Sequence, residues 1–400
     1  MTHPGTHKSG FAVSVGAVLA AVSGFAILLI GARVLSAADN AIFLSFWSAL
    51  FLVTGVLSGI QQEVTRATTL ADGRGYSPFR FTLLAGLGMA IVVICAGPFF
   101  GPSISGGSSS LIPVLLIALA AFLYAGQMTV TGSLGGVRLW TTFAVVTGGE
   151  ALVRLAAVGL VAFIGQQAIG FEVASVVAFF FWVLLLTTPS RHVLAQIRVS
   201  LPRSVFVQNI VWAMAAAGAT AFLVNGFPFL MALTTSASEY QASADLAIAV
   251  SVTRAPILVP VFAFQAVVVA HYVRNPDQRK ATTRRLVGAL GAVAVILVPL
   301  AALIGPFVMG AVFGPGYEST PLILGVLVAD AVLLAFLVLG GTITIALNRY
   351  RDCLVGWYAS VALALVLMAI LPLSLVERTL LTLSLAPLVG IVAHFRAILR

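Results

Sequence analysis

Apolar residues run along this chain in long blocks separated by brief polar breaks. A helix of about twenty such residues crosses a hydrocarbon core. On that rule the blocks predict spans near 11–32, 41–61, 81–100, 111–131, 143–164 and 168–188. A second set follows at 205–233, 245–270, 286–311, 320–347, 354–373 and 379–398. Barrel strands would alternate apolar and polar residues, and these blocks are continuous, so the spans are expected to be helices. The first run, from Phe11 to Ala32, is longer than a cleavable leader core. Arg33 also separates it from the small residues Ser36 to Ala38, where a cleavage site would fall. It therefore reads as a retained first helix.

Composition supports lipid as the solvent. Apolar residues make up 60% of the chain and charged ones 8%, against roughly 25% charged in a soluble domain. The net charge of +9 does not point to nucleic acid, because the basic residues sit in short connections between spans. Such residues orient helices and meet anionic lipid. With the N-terminus inside, the cytoplasmic connections hold the runs Arg66–Arg80, Arg191–Arg203, Arg274–Arg285 and Arg349–Arg351 and the single Arg138, with Lys8, Arg396 and Arg400 at the ends. The outer side keeps Arg33 and Arg378, while Asp39, Glu172, Glu239, Glu318 and Glu377 gather there. The positive-inside bias thus predicts an inner-membrane protein with both termini cytoplasmic, and the richness in Ala, Val and Arg with only two lysines suggests a GC-rich bacterium.

The expected fold class is all-α: a polytopic membrane protein with two six-helix bundles around a central cavity. The bundles would be 1–188 and 205–400, joined by a cytoplasmic connection at 189–204. Six-plus-six layouts place a site at the interface of the two repeats.

Catalytic signatures are missing. The chain has no Gly-rich Lys-Ser/Thr phosphate loop, no nucleophile elbow and no His spacing suited to a metal, and its two cysteines, Cys95 and Cys353, form no disulfide framework. We expect neither an enzyme nor a cofactor. Gly55 and Gly59 form a small-xxx-small pair, in a chain with 37 glycines where such pairs arise by chance.

Charges inside the spans are more informative, since one at the bilayer centre costs about 2.5–3.5 kcal/mol even on lenient scales. Glu150 and Arg154 share a face of the fifth span at i, i+4, with Thr147 one turn away. Arg254 joins Ser251 and Gln265 on the eighth, and Asp330 joins Gly341, Thr344 and Asn348 on the tenth. An aqueous cavity shared between the bundles would satisfy all of these stripes. Locally closed pairs, Glu150 with Arg154 and Arg254 with Asp330, are the alternative. The arginines Arg33, Arg154 and Arg254 suit a phosphate or pyrophosphate, because the guanidinium fork matches its oxygens and stays charged. Glu150 and Asp330 would bind a coupling ion or act as counter-ions. Pro228, Pro256, Pro260, Pro299 and Pro306 mark places where the seventh to ninth helices can bend.

Three stretches carry a family resemblance. Gly31-Ala-Arg33-Val-Leu35, followed shortly by Ile42-Phe43, is one. Gly59-Ile-Gln-Gln-Glu-Val-Thr-Arg66 is another. The third, Phe313-Gly-Pro-Gly-Tyr317, leads into a span that ends Ala346-Leu-Asn-Arg349. Together they resemble the multidrug/oligosaccharidyl-lipid/polysaccharide (MOP) exporter superfamily, in particular its bacterial polysaccharide (O-antigen type) flippase branch. The resemblance implies an inverted V of two six-helix bundles around a cationic cavity. It also implies movement of a polyprenyl-pyrophosphate-linked glycan between leaflets, with Arg33 and Arg66 at motif positions. Expected partners are that lipid-linked substrate, membrane lipids and a glycan polymerase or glycosyltransferases. A cation-coupled drug or metabolite exporter of the same superfamily is the first rival, and a non-transporting scaffold for glycan assembly the second.

Overall fold

The computed structural model describes residues 5–399 apart from 72, 166, 189 and 348. Asn348 and Arg400 therefore lie outside the described residues, as does the side chain of Lys8. The helices in order are α1 (Gly5–Val34), α2 (Ala37–Thr69), α3 (Phe79–Ile104), α4 (Ile112–Gly136), α5 (Trp140–Phe163), α6 (Ala168–Val177) and α7 (Ser190–Gln196). They continue as α8 (Arg203–Val224), α9 (Phe227–Leu233), α10 (Ala237–Ala242), α11 (Ala244–Arg274), α12 (Arg279–Phe313), α13 (Pro321–Ala346), α14 (Tyr350–Ile370) and α15 (Leu375–Leu399). A 3-10 helix, Ala178–Thr187, prolongs α6. Twelve of the described helical stretches are long and apolar enough to span a bilayer. The chain is a multi-pass membrane protein with an all-α fold.

Each of the twelve expected spans coincides with one of these stretches, and the differences have local causes. The seventh stops at Val224 because Gly226 and Pro228 follow, and Pro228 starts the separate helix α9 at a position where its missing N–H costs nothing. Conversely α2, α11 and α12 run 33, 31 and 35 residues, well past the hydrocarbon core. The residues in their extra turns (Glu63, Arg66, Arg274, Lys280, Arg284) suit a helix, and α11 and α12 end only where Pro276 and Gly314 follow. Much of the charge assigned to loops therefore rides on helix ends.

Packing divides the chain into two compact units, Met1–Ala221 and Phe222–Arg400. In the first, α2 and α3 lie against α4, and α1 lies against α5. α4 is the central helix, and its run Ala-Gly-Gln-Met-Thr-Val-Thr-Gly-Ser-Leu-Gly from Ala125 is buried throughout. Small residues let backbones approach closely where lipid offers no hydrophobic drive between helices. A Cβ on Gly132 would stand 2.8 Å from the Gln61 carbonyl oxygen. Gly59, of the small-xxx-small pair, is used inside the chain: α8 passes so near that a Cβ there would overlap the backbone at Ala213 and Met214.

In the second unit α13 is central and packs on α11, α12, α14 and α15. Gly340 and Gly341 on α13 and Gly356 on α14 leave a space that the buried His394 ring and Trp357 fill, while Gly390 on α15 lets the Gly356 carbonyl and Ser360 of α14 approach. α12 lies on the outside, with Leu303 80% and Phe307 78% exposed. Such a surface is stable only in lipid.

Candidate functional site

α5 carries Glu150 and Arg154 one turn apart, and both are buried in the first unit. They form a direct, charge-assisted ion pair. The Arg154 Nε also donates to the Ser175 carbonyl oxygen of α6 at 3.3 Å. Three rings surround the guanidinium: Phe179 at 4.8 Å, Phe51 at 5.2 Å and Trp47 at 6.0 Å from their centroids. Ring faces stabilise a cation most when water is excluded. The paired-charge alternative therefore describes this position, with an aromatic cage that spacing along α5 could not reveal, because the rings come from α2 and the 3-10 helix.

In the second unit Arg254 of α11 donates to the carbonyl oxygens of Leu223 at 2.8 Å and Val224 at 3.0 Å. Those carbonyls end α8, where the chain breaks before Pro228 and the last turn lacks intrahelical donors. A cation there also meets the negative end of the helix dipole. The Phe227 ring lies 5.4 Å away.

Asp330 of α13 accepts a 2.6 Å hydrogen bond from the Ser384 hydroxyl at Oδ1, while its Oδ2 has no partner among the described residues. Arg254 and Asp330 line one small cavity with Thr382, Leu334 and Phe227. They face it without closing a direct ion pair. Its volume is about 10 Å³, enough for a single water and far too little for a phosphate. The neighbouring Thr382 hydroxyl also lacks a partner, so a water there would have polar groups to bridge.

The other two candidates differ. Arg66 makes a bidentate pair with Glu63 (Nε to Oε2 and Nη2 to Oε1, both 2.7 Å), and Glu63 accepts a further bond from Asn209 Nδ2 at 3.1 Å. Arg66 lies fifteen residues beyond Phe51 on α2, which is about 22 Å along the axis. It belongs to neither buried group. Arg33 is exposed in the last turn of α1, a favourable place for a cation.

On the other stripes, Gln265 Nε2 donates to the Thr342 hydroxyl at 3.0 Å, while Ser251 and Thr344 bond to their own helices. Burial alone thus does not require a chamber shared by the arginines, since each buried guanidinium finds acceptors inside its own unit.

Sequence reasoning missed two buried groups. Glu172, grouped with the outer acids, is 1% exposed on α6. Its position five residues into the sixth span was the available signal. His394 on α15 is fully buried, with its Nε2 3.0 Å from the Cys353 carbonyl oxygen. Nothing in its sequence neighbourhood marks it.

No family model matches the chain. It is 34% identical over 411 residues to the Mycobacterium tuberculosis protein Rv3630, covering 99% of this chain and 94% of that one. It is 32% identical over 410 residues to Rv1510 of the same species, covering 100% and 93%. Both relatives are described as uncharacterized. Among solved structures, an inward-facing multidrug resistance MATE family transporter of the MOP superfamily superposes with a TM-score of 0.68 at 14% identity, over 96% of this chain and 94% of that one. A MOP superfamily transporter from Pyrococcus furiosus gives 0.65 at 14% identity, over 98% and 95%. For that protein a reversed polarity of the binding pocket is taken to suggest a different function. The fold of this chain is that of the MATE transporters.

Proposed function

We propose, from the premise that the chain belongs to the family of the mycobacterial proteins Rv3630 and Rv1510 and has the MATE transporter fold, that it moves a lipid-linked oligosaccharide across a bacterial inner membrane. The cargo would be a polyprenyl-pyrophosphate glycan, handled as in the polysaccharide flippase branch of the MOP superfamily. No covalent bond is made or broken. The glycan head passes through the protein while the prenyl tail stays in lipid, and alternating access presents the site to each side in turn.

The observation that carries this reading is a guanidinium embedded in the spans of each unit, Arg154 and Arg254. Holding a cation there is costly, and membrane proteins keep such groups chiefly where a substrate or ion passes. An arginine fork recognises phosphate oxygens in pairs and stays charged when water is removed. The present partners, Glu150 for Arg154 and main-chain carbonyls for Arg254, are acceptors that phosphate oxygens would replace during transport. Glu150 and Asp330 then serve as counter-ions of the empty site.

The test uses the full chain in vesicles containing a labelled lipid-linked sugar. Arg154→Lys and Arg254→Lys keep the charge and remove the fork. Losing charge-assisted hydrogen bonds worth about 1.5–3 kcal/mol predicts roughly a tenfold to hundredfold slower flipping. Unchanged rates at normal protein levels would remove both residues from the site. One observation favours the cation-coupled exporter: the unpartnered Oδ2 of Asp330 is suited to a cation. Altered drug susceptibility on deletion, with surface glycan intact, would establish that alternative.

A further inference from the structure

Glu172 lies one turn into α6 and is 1% exposed. Its neighbours in sequence, Phe171 and Ala174, belong to an apolar cluster with Ile27 of α1, Phe43 of α2 and Val158 of α5. Its Oε2 has no hydrogen-bond partner among the described residues. An ionised carboxylate left without hydrogen bonds in an apolar interior costs far more than a neutral acid.

The charged and titratable groups on the helices around α6 do not supply the missing charge. Arg154 of α5 reaches α6 at Ser175, but its ion-pair partner is Glu150. Tyr124 of α4 stands edge-on to Phe179, 5.1 Å between ring centroids. Asp39 of α2, also an acid, is held by the Ser36 hydroxyl at the start of its helix. Glu63 of α2 is engaged by Arg66. Arg33, at the end of α1, is exposed.

We propose that Glu172 is a proton-binding site of the first unit, a neutral carboxylic acid in the packed arrangement that gives its proton to water when α6 loosens from α2 and α5. The step breaks the carboxyl O–H bond and leaves the electron pair on the carboxylate, with the proton taken up by water. The ionised side chain cannot return to this apolar place, so repacking requires a proton to rebind. Protonation and packing are therefore linked: acid favours the packed arrangement and alkali the loosened one. If the chain transports, as the reading above holds, and Glu172 takes its proton from one side of the membrane and releases it to the other, each cycle that loosens α6 moves one proton, and a proton gradient can drive it.

Infrared spectroscopy of the protein in lipid tests the site without any substrate. The difference between the wild type and Glu172→Gln is expected to contain the carbonyl band of a protonated acid near neutral pH. A difference showing only carboxylate bands would overturn the proposal. Carbodiimide, which reacts with protonated acids within membranes, is expected to label the Glu172 peptide of the wild type in proportion to that band. That measurement needs no variant to fold. In the vesicle assay an imposed pH gradient should accelerate wild-type flipping about tenfold, a change of 1.4 kcal/mol, and Glu172→Gln should not respond. An equal response in Glu172→Gln would overturn the coupling. If the wild type moves no lipid-linked sugar, the transport reading fails, and the infrared result still decides the proton site.

Discussion

Replacing Glu150 by Gln takes away the carboxylate that neutralises a guanidinium inside the membrane and leaves nearly everything else in place. In the variant, Arg154 keeps its bond to the Ser175 carbonyl and the rings of Phe179, Phe51 and Trp47. Cation–π contact with desolvated rings supplies about 0.5–2 kcal/mol and was present before the change, so it does not offset the loss. Removing one partner of a buried pair costs about 3–5 kcal/mol, because the other charge stays buried. The insertion cost of an unpaired arginine, about 2.5–3.5 kcal/mol, is of the same size. A shift of that size lowers the folded-to-unfolded ratio by roughly a hundredfold to several thousandfold.

The assay is a denaturant titration in mixed micelles, applied to the wild type, Glu150→Gln, Arg154→Met and the double variant. The double variant removes both charges and substitutes an apolar chain of similar length, so most of the lost stability should return, as it does when buried pairs are replaced together. The reasoning is refuted if Glu150→Gln costs less than about 1 kcal/mol, the range of an exposed pair. It is equally refuted if the double variant is no more stable than Glu150→Gln.

Other outcomes follow from particular contacts. Gly356→Ala would set a methyl group into the His394 ring and should cost about 1–3 kcal/mol, whereas Gly88→Ala on α3 meets nothing within 4 Å and should gain about 0.5–1 kcal/mol; paired thermal melts check both. Gly75→Ala combines a φ of +112° with a Cβ overlapping the Val199 carbonyl. It should cost about 1–3 kcal/mol and speed proteolysis at 70–78 by breaking the Tyr76–Val199 bridge. Thr129→Val removes the 2.7 Å hydroxyl bond to Thr82 that links α4 to α3. Its effect on micelle unfolding should be about 0.6 kcal/mol, the average for interhelical bonds in lipid.

Much of this protein was legible from residue order alone. The spans, their helical character and the all-α class follow from run length and apolarity, because lipid leaves a backbone no acceptable state other than an internally bonded helix or a closed barrel. The Glu150–Arg154 pair was also legible, since an i, i+4 spacing is a local property of α5. Even the misplaced boundaries obey local rules, as the stop before Pro228 and the overlong α12 illustrate.

What tertiary structure alone decided is where each embedded charge finds its partner. Arg254 lies thirty residues from the Val224 carbonyl that holds it, and Asp330 lies fifty-four from Ser384. The aromatic cage of Arg154 is drawn from two other elements, α2 and the 3-10 helix, and Glu172 is an apolar-site acid only because α1, α2 and α5 close around α6. A polar group in lipid takes whichever partner the helix packing brings within about 3 Å. That packing depends on how small residues on α4 and α13 allow their neighbours to approach, a relation between surfaces that no window along a single helix contains.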